Sequence, residues 1–256
     1  QDATASTAWN TADCDSDGLT NGAEKALGTN PTNADSDGDG VSDGVEVSDT
    51  TNPLDLCEYK TASQVIANVS STWNASDCDG DGETNATEIA NSTDPQNACS
   101  YTTAPAQGTA AYTTWSLLDC DGDGVTNGVE LTNNTNPKDA CSLIVANQNA
   151  TASTAWNTAD CDSDGLSNGA EKTLGTNPTN ADSDGDGVSD DREVTDNTDP
   201  LAVCSYVLAI QTLPTSLTLN DADCDNDGET NATEIVNNTD PQNACSYTTA
   251  PAQGTA

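Results

Sequence analysis

The sequence predicts an irregular, solenoid-like ladder of repeated acidic loops. Very short helices and small disulfide-closed β-hairpin inserts join the loops, and there is no single large core. Three observations carry this expectation. The 256 residues are only 33% hydrophobic and 4% aromatic, with no Phe or Met, which is too little large apolar surface for one continuous interior. The chain repeats itself at two periods. It also holds ten cysteines, an even number without CxxC metal pairs.

Charge narrows the function classes at once. Asp and Glu number 43 against 5 Lys and Arg, giving a formal net charge of −38, and His is absent. Nucleic-acid binding is excluded because phosphate neutralisation needs cationic side chains that are missing. His-based acid–base catalysis, His-metal sites and P-loop nucleotide binding fall with it. The longest apolar runs, Leu143–Ala146 and Val207–Ile210, are far short of the roughly 20 residues of a membrane-spanning helix. Composition alone would place the chain among disordered acidic polymers, but its acids are patterned.

The long period is visible as verbatim copies. Residues 3–19 recur at 150–166, and 100–110 recur at 246–256. A chain that opens at Gln1 and stops within a repeat reads as part of a longer array and a longer precursor. Inside the long period a shorter unit occurs seven times: Asp-x-Asp-x-Asp-Gly, then x, Ser or Thr, Asn or Asp, two residues and Glu. Thr-[Asn/Asp]-Pro follows each Glu, as in Thr29-Asn30-Pro31 and Thr93-Asp94-Pro95.

This is the ligand spacing of the twelve-residue EF-hand loop, with ligands at 1, 3, 5, 7, 9 and 12 and Gly at 6. Asp13, Asp15, Asp17, the Leu19 carbonyl and Glu24 form the first set. Asp35, Asp37, Asp39, Val41 and Glu46 form the second, and Asp77, Asp79, Asp81, Glu83 and Glu88 the third. The fourth is Asp119, Asp121, Asp123, Val125 and Glu130. The long period then repeats with Asp160, Asp162, Asp164, Leu166 and Glu171, followed by Asp182, Asp184, Asp186, Val188 and Glu193. Asp223, Asp225, Asp227, Glu229 and Glu234 complete the seven. Position 9 (Asn21, Asp43, Asn85, Asn127, Asn168, Asp190 and Asn231) is a candidate ligand through water. Hard oxygen donors in a flexible array suit Ca²⁺ better than Mg²⁺, which prefers a smaller octahedron. About seven calcium ions per chain are therefore expected. A random acidic run would not keep Gly and Glu in frame seven times. Identical carboxylate sets also argue against an enzyme, which needs one active site rather than seven.

The loops depart from a true EF-hand. Position 8 is Ser or Thr throughout, where paired EF-hand loops carry an apolar residue. Only ten residues separate Glu24 from Asp35, too few for two flanking helices. One short helix of about 1.5 turns after each Glu is expected. It should stop at Gly28, Asn134, Gly175, Asn197 or Asn238, which suit a left-handed C-cap, with Pro following.

With these features together, the chain resembles bacterial thrombospondin type 3 repeats of extracellular surface proteins, over nearly its whole length. The resemblance implies calcium-stabilised stalks or spacers with little regular secondary structure, and brings no catalytic residues. Dockerin modules share the loop but pair it with full helices, which this spacing does not allow.

Two loops, at Asp35 and Asp182, follow their predecessors directly. Elsewhere an insert intervenes, with a Cys at each end. Pairing within modules would join Cys14–Cys57 and Cys161–Cys204 over 43 residues but Cys78–Cys99, Cys120–Cys141 and Cys224–Cys245 over 21. Pairing across inserts gives Cys57–Cys78, Cys99–Cys120, Cys141–Cys161 and Cys204–Cys224 over 20 or 21 residues. The second scheme is favoured because each insert leaves and rejoins the chain where directly joined loops would meet. Closing such a loop contributes about 3 kcal/mol, and disulfides imply an oxidising, extracellular or cell-surface location. Trp9, Trp73, Trp115, Trp156 and Leu219 lie five before a loop cysteine, and Tyr59, Tyr101, Leu143 and Tyr206 lie two past the preceding one. With their Thr, Val and Ala content the inserts read as β-hairpins, their aromatics packing locally.

The module boundaries that follow are 1–57 (hairpin end and double loop), 58–99 and 100–141 (hairpin and single loop), 142–204 (hairpin and double loop) and 205–245 (hairpin and single loop). Residues 246–256 would open the next repeat. Of the Asn-x-Ser/Thr sequons, Asn91, Asn133 and Asn237 are the better glycosylation candidates, since Asn85 and Asn231 sit inside loops. The function expected is a rigid extracellular rod within a polymeric surface filament or appendage, self-associating or continuing as a longer array. The alternatives are the stalk of a long adhesin, and an acidic calcium buffer or mineral-binding protein.

Overall fold

The structure is a computed structural model and describes residues 6–248. The N-terminal hairpin end and the insert opening at 246–256 therefore fall partly outside the described residues. The chain divides into two compact units, Gln1–Leu118 and Asp119–Ala256. Each is built of acidic loops that run into seven-residue helices, with irregular inserts between them.

The loop helices are Asn21–Leu27, Asp43–Asp49 and Asn85–Asn91 in the first unit. In the second they are Asn127–Asn133, Asn168–Leu174, Asp190–Asp196 and Asn231–Asn237. They do not follow the position-12 Glu, as the sequence had suggested, but contain it as their fourth residue. The Ser or Thr at position 8 is the reason. It takes extended backbone geometry as an N-cap, and in Thr20, Thr84, Ser167 and Thr230 its hydroxyl accepts the N–H three residues on. The polar residue that looked like a defect in an EF-hand loop thus starts a helix. Each helix ends on a left-handed residue. Thr50 and Ser92 take that conformation (φ 63° and 61°) as well as the five Gly and Asn residues. The Thr after this cap donates its N–H to the carbonyl of Glu, 3.1 Å for Thr29 to Glu24, closing the helix end.

The inserts are not β-hairpins: no strand occurs among the described residues. Several carry a 3₁₀ turn, as at Ile66–Asn68, Val145–Asn147 and Leu208–Ile210, and each then forms a short α-helix. Those helices, Ser71–Ala75, Ala110–Trp115, Thr154–Thr158 and Leu217–Asp221, are capped by the hydroxyls of Ser70, Thr109, Ser153 and Ser216. A hairpin would spend its N–H groups on its own second strand. Here they go to the preceding acidic loop: Val65 and Ser70 donate to the carbonyls of Gly40 and Gly38 at 2.9 and 2.7 Å. Thr212 and Ser216 treat Gly187 and Gly185 likewise at 2.8 and 2.7 Å. The β-forming residues of the insert were a weak prior that these loop contacts override.

Burial follows the joints. Val41, Tyr59 and Trp73 form one cluster, Val125, Leu143 and Trp156 a second, and Val188, Tyr206 and Leu219 a third. Each cluster combines the position-7 residue of a loop with two apolar residues of the insert that follows. The Tyr101 and Trp115 rings meet edge to face at 5.3 Å. Cys57–Cys78, Cys141–Cys161 and Cys204–Cys224 are bonded with Cα atoms 5.3–5.4 Å apart. Cys99 and Cys120 are also disulfide-bonded, whereas Cys14 and Cys245 are exposed free thiols. No helix among the described residues is long and apolar enough to cross a membrane.

Candidate metal centres

The loop beginning at Asp119 shows how the residues assemble. Asp119 at position 1 holds the turn from inside: its two oxygens accept the N–H groups of Gly122 at 2.8 Å and Gly124 at 3.0 Å. Gly124 needs a positive φ, 91°, and any Cβ there would press on the Ala150 carbonyl at 3.1 Å. Asp121 accepts the Asp123 N–H, and Asp123 accepts the Val125 N–H at 2.6 Å. Each of these two Asp residues uses one oxygen for the backbone. The other, Oδ2 in both, is buried with no hydrogen-bond partner, as are both oxygens of the fully buried Glu130.

The arrangement recurs through both units. Asp13, Asp15 and Asp17 bring carboxylate oxygens within 4.8 Å of one another, and so do Asp35, Asp37 and Asp39, and Asp77, Asp79 and Asp81. Glu24, Glu88, Glu171, Glu193 and Glu234 are fully buried with both oxygens unpartnered. Glu46 keeps one such oxygen, the other facing the Thr51 hydroxyl at 3.5 Å. Burial, and then the neighbouring loop carboxylates, push Glu46, Glu88, Glu130, Glu171 and Glu193 up to about 8, and Glu24 and Glu234 to about 7. Burial, opposed by a backbone N–H, raises Asp39, Asp123 and Asp186 to about 7. Buried carboxylates without partners are strongly unfavourable unless a cation compensates them. Oxygen-only donors of high charge fit a hard divalent ion.

Position 9 is placed differently from what its number in the loop suggests. Asn21, Asn85, Asn127, Asn168 and Asn231 accept the N–H of the position-2 cysteine at 3.1–3.2 Å. Four of them also donate to a carbonyl twelve residues earlier, at Trp9, Trp73, Trp156 and Leu219. These side chains brace the loop against the insert helix. Asp43 and Asp190 accept instead from both the N–H and the hydroxyl of Ser36 and Ser183.

Position 7 carries a role that the loop pattern did not disclose. Its side chain is free because only its carbonyl faces the loop in the expected ligand set. Glu83 accepts the N–H groups of Thr102 and Thr103, at 3.2 and 3.0 Å, and the Thr102 hydroxyl. Glu229 accepts both the N–H and the hydroxyl of Thr248, at 3.2 and 2.6 Å. Where position 7 is Val, a Gln of the next insert donates to the position-5 carbonyl instead: Gln64 to Asp39, Gln148 to Asp123 and Gln211 to Asp186. The pairing of Glu with Tyr-Thr-Thr and of Val with Gln is present in the sequence as a correlation between each loop and its insert.

The loop, its buried oxygens and its closing helix define a class: tandem acidic-loop repeat modules with the donor set of a calcium site. A model of the bacterial TSP3 repeat matches residues 13–34, 35–56, 77–98, 119–140, 160–181, 182–202 and 223–244, and the chain belongs to that family. No curated protein and no solved structure matches the chain. Family membership makes this a structural repeat protein of a calcium-binding type, of the kind found in extracellular proteins.

Proposed function

We propose that the chain is an extracellular structural element whose fold is completed by about seven calcium ions, one per loop. The observation that carries this reading is the set of fully buried, unpartnered Glu oxygens beside paired Asp residues. Positions 1, 3, 5 and 12 would hold the ion, with the position-7 carbonyl. Bound calcium supplies compensating charge and folding free energy that the small joint clusters cannot supply alone. Four acids in each of seven loops, with Asp43 and Asp190, account for 30 of the 43 acidic residues. Seven divalent ions would bring the net charge from −38 to about −24.

The finer reading is a rigid rod in a polymeric surface filament or appendage. Verbatim repetition at the long period supports it, since equal units suit a regular assembly. Disulfide staples and hydroxyl-clamped joints favour a fixed element over a calcium buffer, which needs neither. Sequons at Asn91, Asn133 and Asn237 are the proposed glycan positions. Those at Asn85 and Asn231 lie in fully buried loop side chains. The deciding experiment is chelation: EGTA should abolish protease resistance and change the circular dichroism, and unchanged signals would overturn the calcium scaffold. Electron microscopy of native material then separates uniform fibres from single tethered stalks.

A further inference from the structure

The two loops that follow another loop directly differ from the other five at one position. Position 9 is Asp in these, Asp43 and Asp190, and Asn elsewhere. Both Asp residues are fully buried. Asp43 does not lie only among its own loop's acids, for one oxygen each of Asp17, Glu24 and Asp43 fall within 4.8 Å of one another. Asp17 and Glu24 belong to the loop before. Glu24 is fully buried, with both oxygens unpartnered.

The backbone shows why the two loops meet here. The Gly44 N–H, beside Asp43 at the start of its helix, donates to Asp17 Oδ2 at 3.1 Å. A Cβ on Gly44 would sit 2.3 Å from the Asp17 carbonyl oxygen. In the second unit the Asp191 N–H donates to Asp164 Oδ2 at 3.0 Å, beside Asp190. Position 5 elsewhere keeps a buried oxygen without a partner, as in Asp39, Asp123 and Asp186. In the first loop of each tandem pair that oxygen is engaged by the neighbouring helix. The same neighbour brings an additional carboxylate.

Hydrogen bonding to Ser36 or Ser183 does not account for the charge. An amide would accept the same serine N–H, and the hydroxyl can turn to suit it. A fully buried carboxylate near two others is costly without a cation. We propose that Asp43 and Asp190 serve the loop before their own, each adding an acidic group to the cation site of Asp13–Glu24 or Asp160–Glu171. The first loop of each tandem pair then has five acids, against four in a single loop such as Asp119–Glu130. Loop affinity rises with ligand charge, so these two sites are the tightest and bind only as well as the next loop is folded. This inference rests on the calcium reading above.

A calorimetric calcium titration of the full oxidised chain tests it, using D43N, E24Q, E46Q and the two double variants. D43N installs the residue that five loops already carry, and D190N repeats the test independently in the other unit. We expect D43N to weaken one site about tenfold, with the effect vanishing in the E24Q background and persisting with E46Q. The reverse pattern, loss of the effect only with E46Q, would return Asp43 to its own loop and overturn the proposal. So would an S36A variant that weakens calcium binding as much as D43N does, since the side chain would then act only as a brace. A wild-type chain that takes up no calcium would sink the proposed function itself, an outcome distinct from either.

Discussion

Within one unit the same twelve-residue loop stands in two settings, the tandem pair from Asp13 to Glu46 and the single loop from Asp77 to Glu88. Their internal frames match: position 1 accepts the N–H groups of positions 4 and 6 in all three loops. The outward residues differ. In the pair, Leu19 stands at position 7 of the first loop, and the next loop's helix start covers Asp17. In the single loop, Glu83 at position 7 grips Thr102 and Thr103 of the following insert. The inward positions therefore set the ion site, while positions 7 and 9 set what may come next along the chain.

The largest way to break this comparison is to remove the metal from both settings and vary pH. Burial raises Glu46, Glu88 and Glu130 from 4.5 to about 8 in the metal-free fold. The metal-free folded state then holds more protons than the unfolded chain across that interval. Its stability should be greatest below about pH 4.5 and fall as pH rises through about 8. Calcium competes with those protons, so saturating calcium should reverse the trend, with affinity rising with pH. Circular dichroism against pH, with and without EGTA, checks both signs.

Next in size is the aromatic joint. Trp73→Ala should cost about 3–5 kcal/mol in calcium-saturated unfolding of its unit, because that ring is fully buried against Val41 and Tyr59. Trp9→Ala should cost less in the same denaturant assay, since its ring is only half-buried. A smaller effect is expected at the clamp. Glu83→Val removes an acceptor shared by two N–H groups and a hydroxyl, and should loosen the insert after Tyr101 by about 1–3 kcal/mol. Amide hydrogen exchange at Thr102 and Thr103 would register this, while calcium affinity of the loop stays unchanged. The smallest change is a gain: Ser92→Gly relieves a left-handed non-glycine at φ 61° and should stabilise its unit by about 0.4–1 kcal/mol. The Gly already present at position 28 (φ 92°) offers no such gain.

Much of the loop was readable beforehand because its determinants are local. Asp119, Gly124 and Glu130 act within twelve residues, and a fixed spacing encodes them. The insert was misread because Val65, Ser70 and Ser216 make their decisive hydrogen bonds to glycines of the preceding loop, which a propensity cannot contain. Position 8 was noticed but not understood, since a Thr such as Thr20 reads as a cap only once the helix is seen to begin at position 9.

The sequence by itself determined the seven acidic frames, their left-handed Gly and Asn stops, and the even 20- or 21-residue cysteine spans. Each depends on short chain separations and on side-chain chemistry. Only the tertiary structure decided that inserts clasp loops through backbone donors, that Glu83 and Glu229 hold the next segment, and that Asp43 faces Asp17 and Glu24. Those outcomes depend on which buried polar group finds a partner across a joint, and that partner is chosen in space.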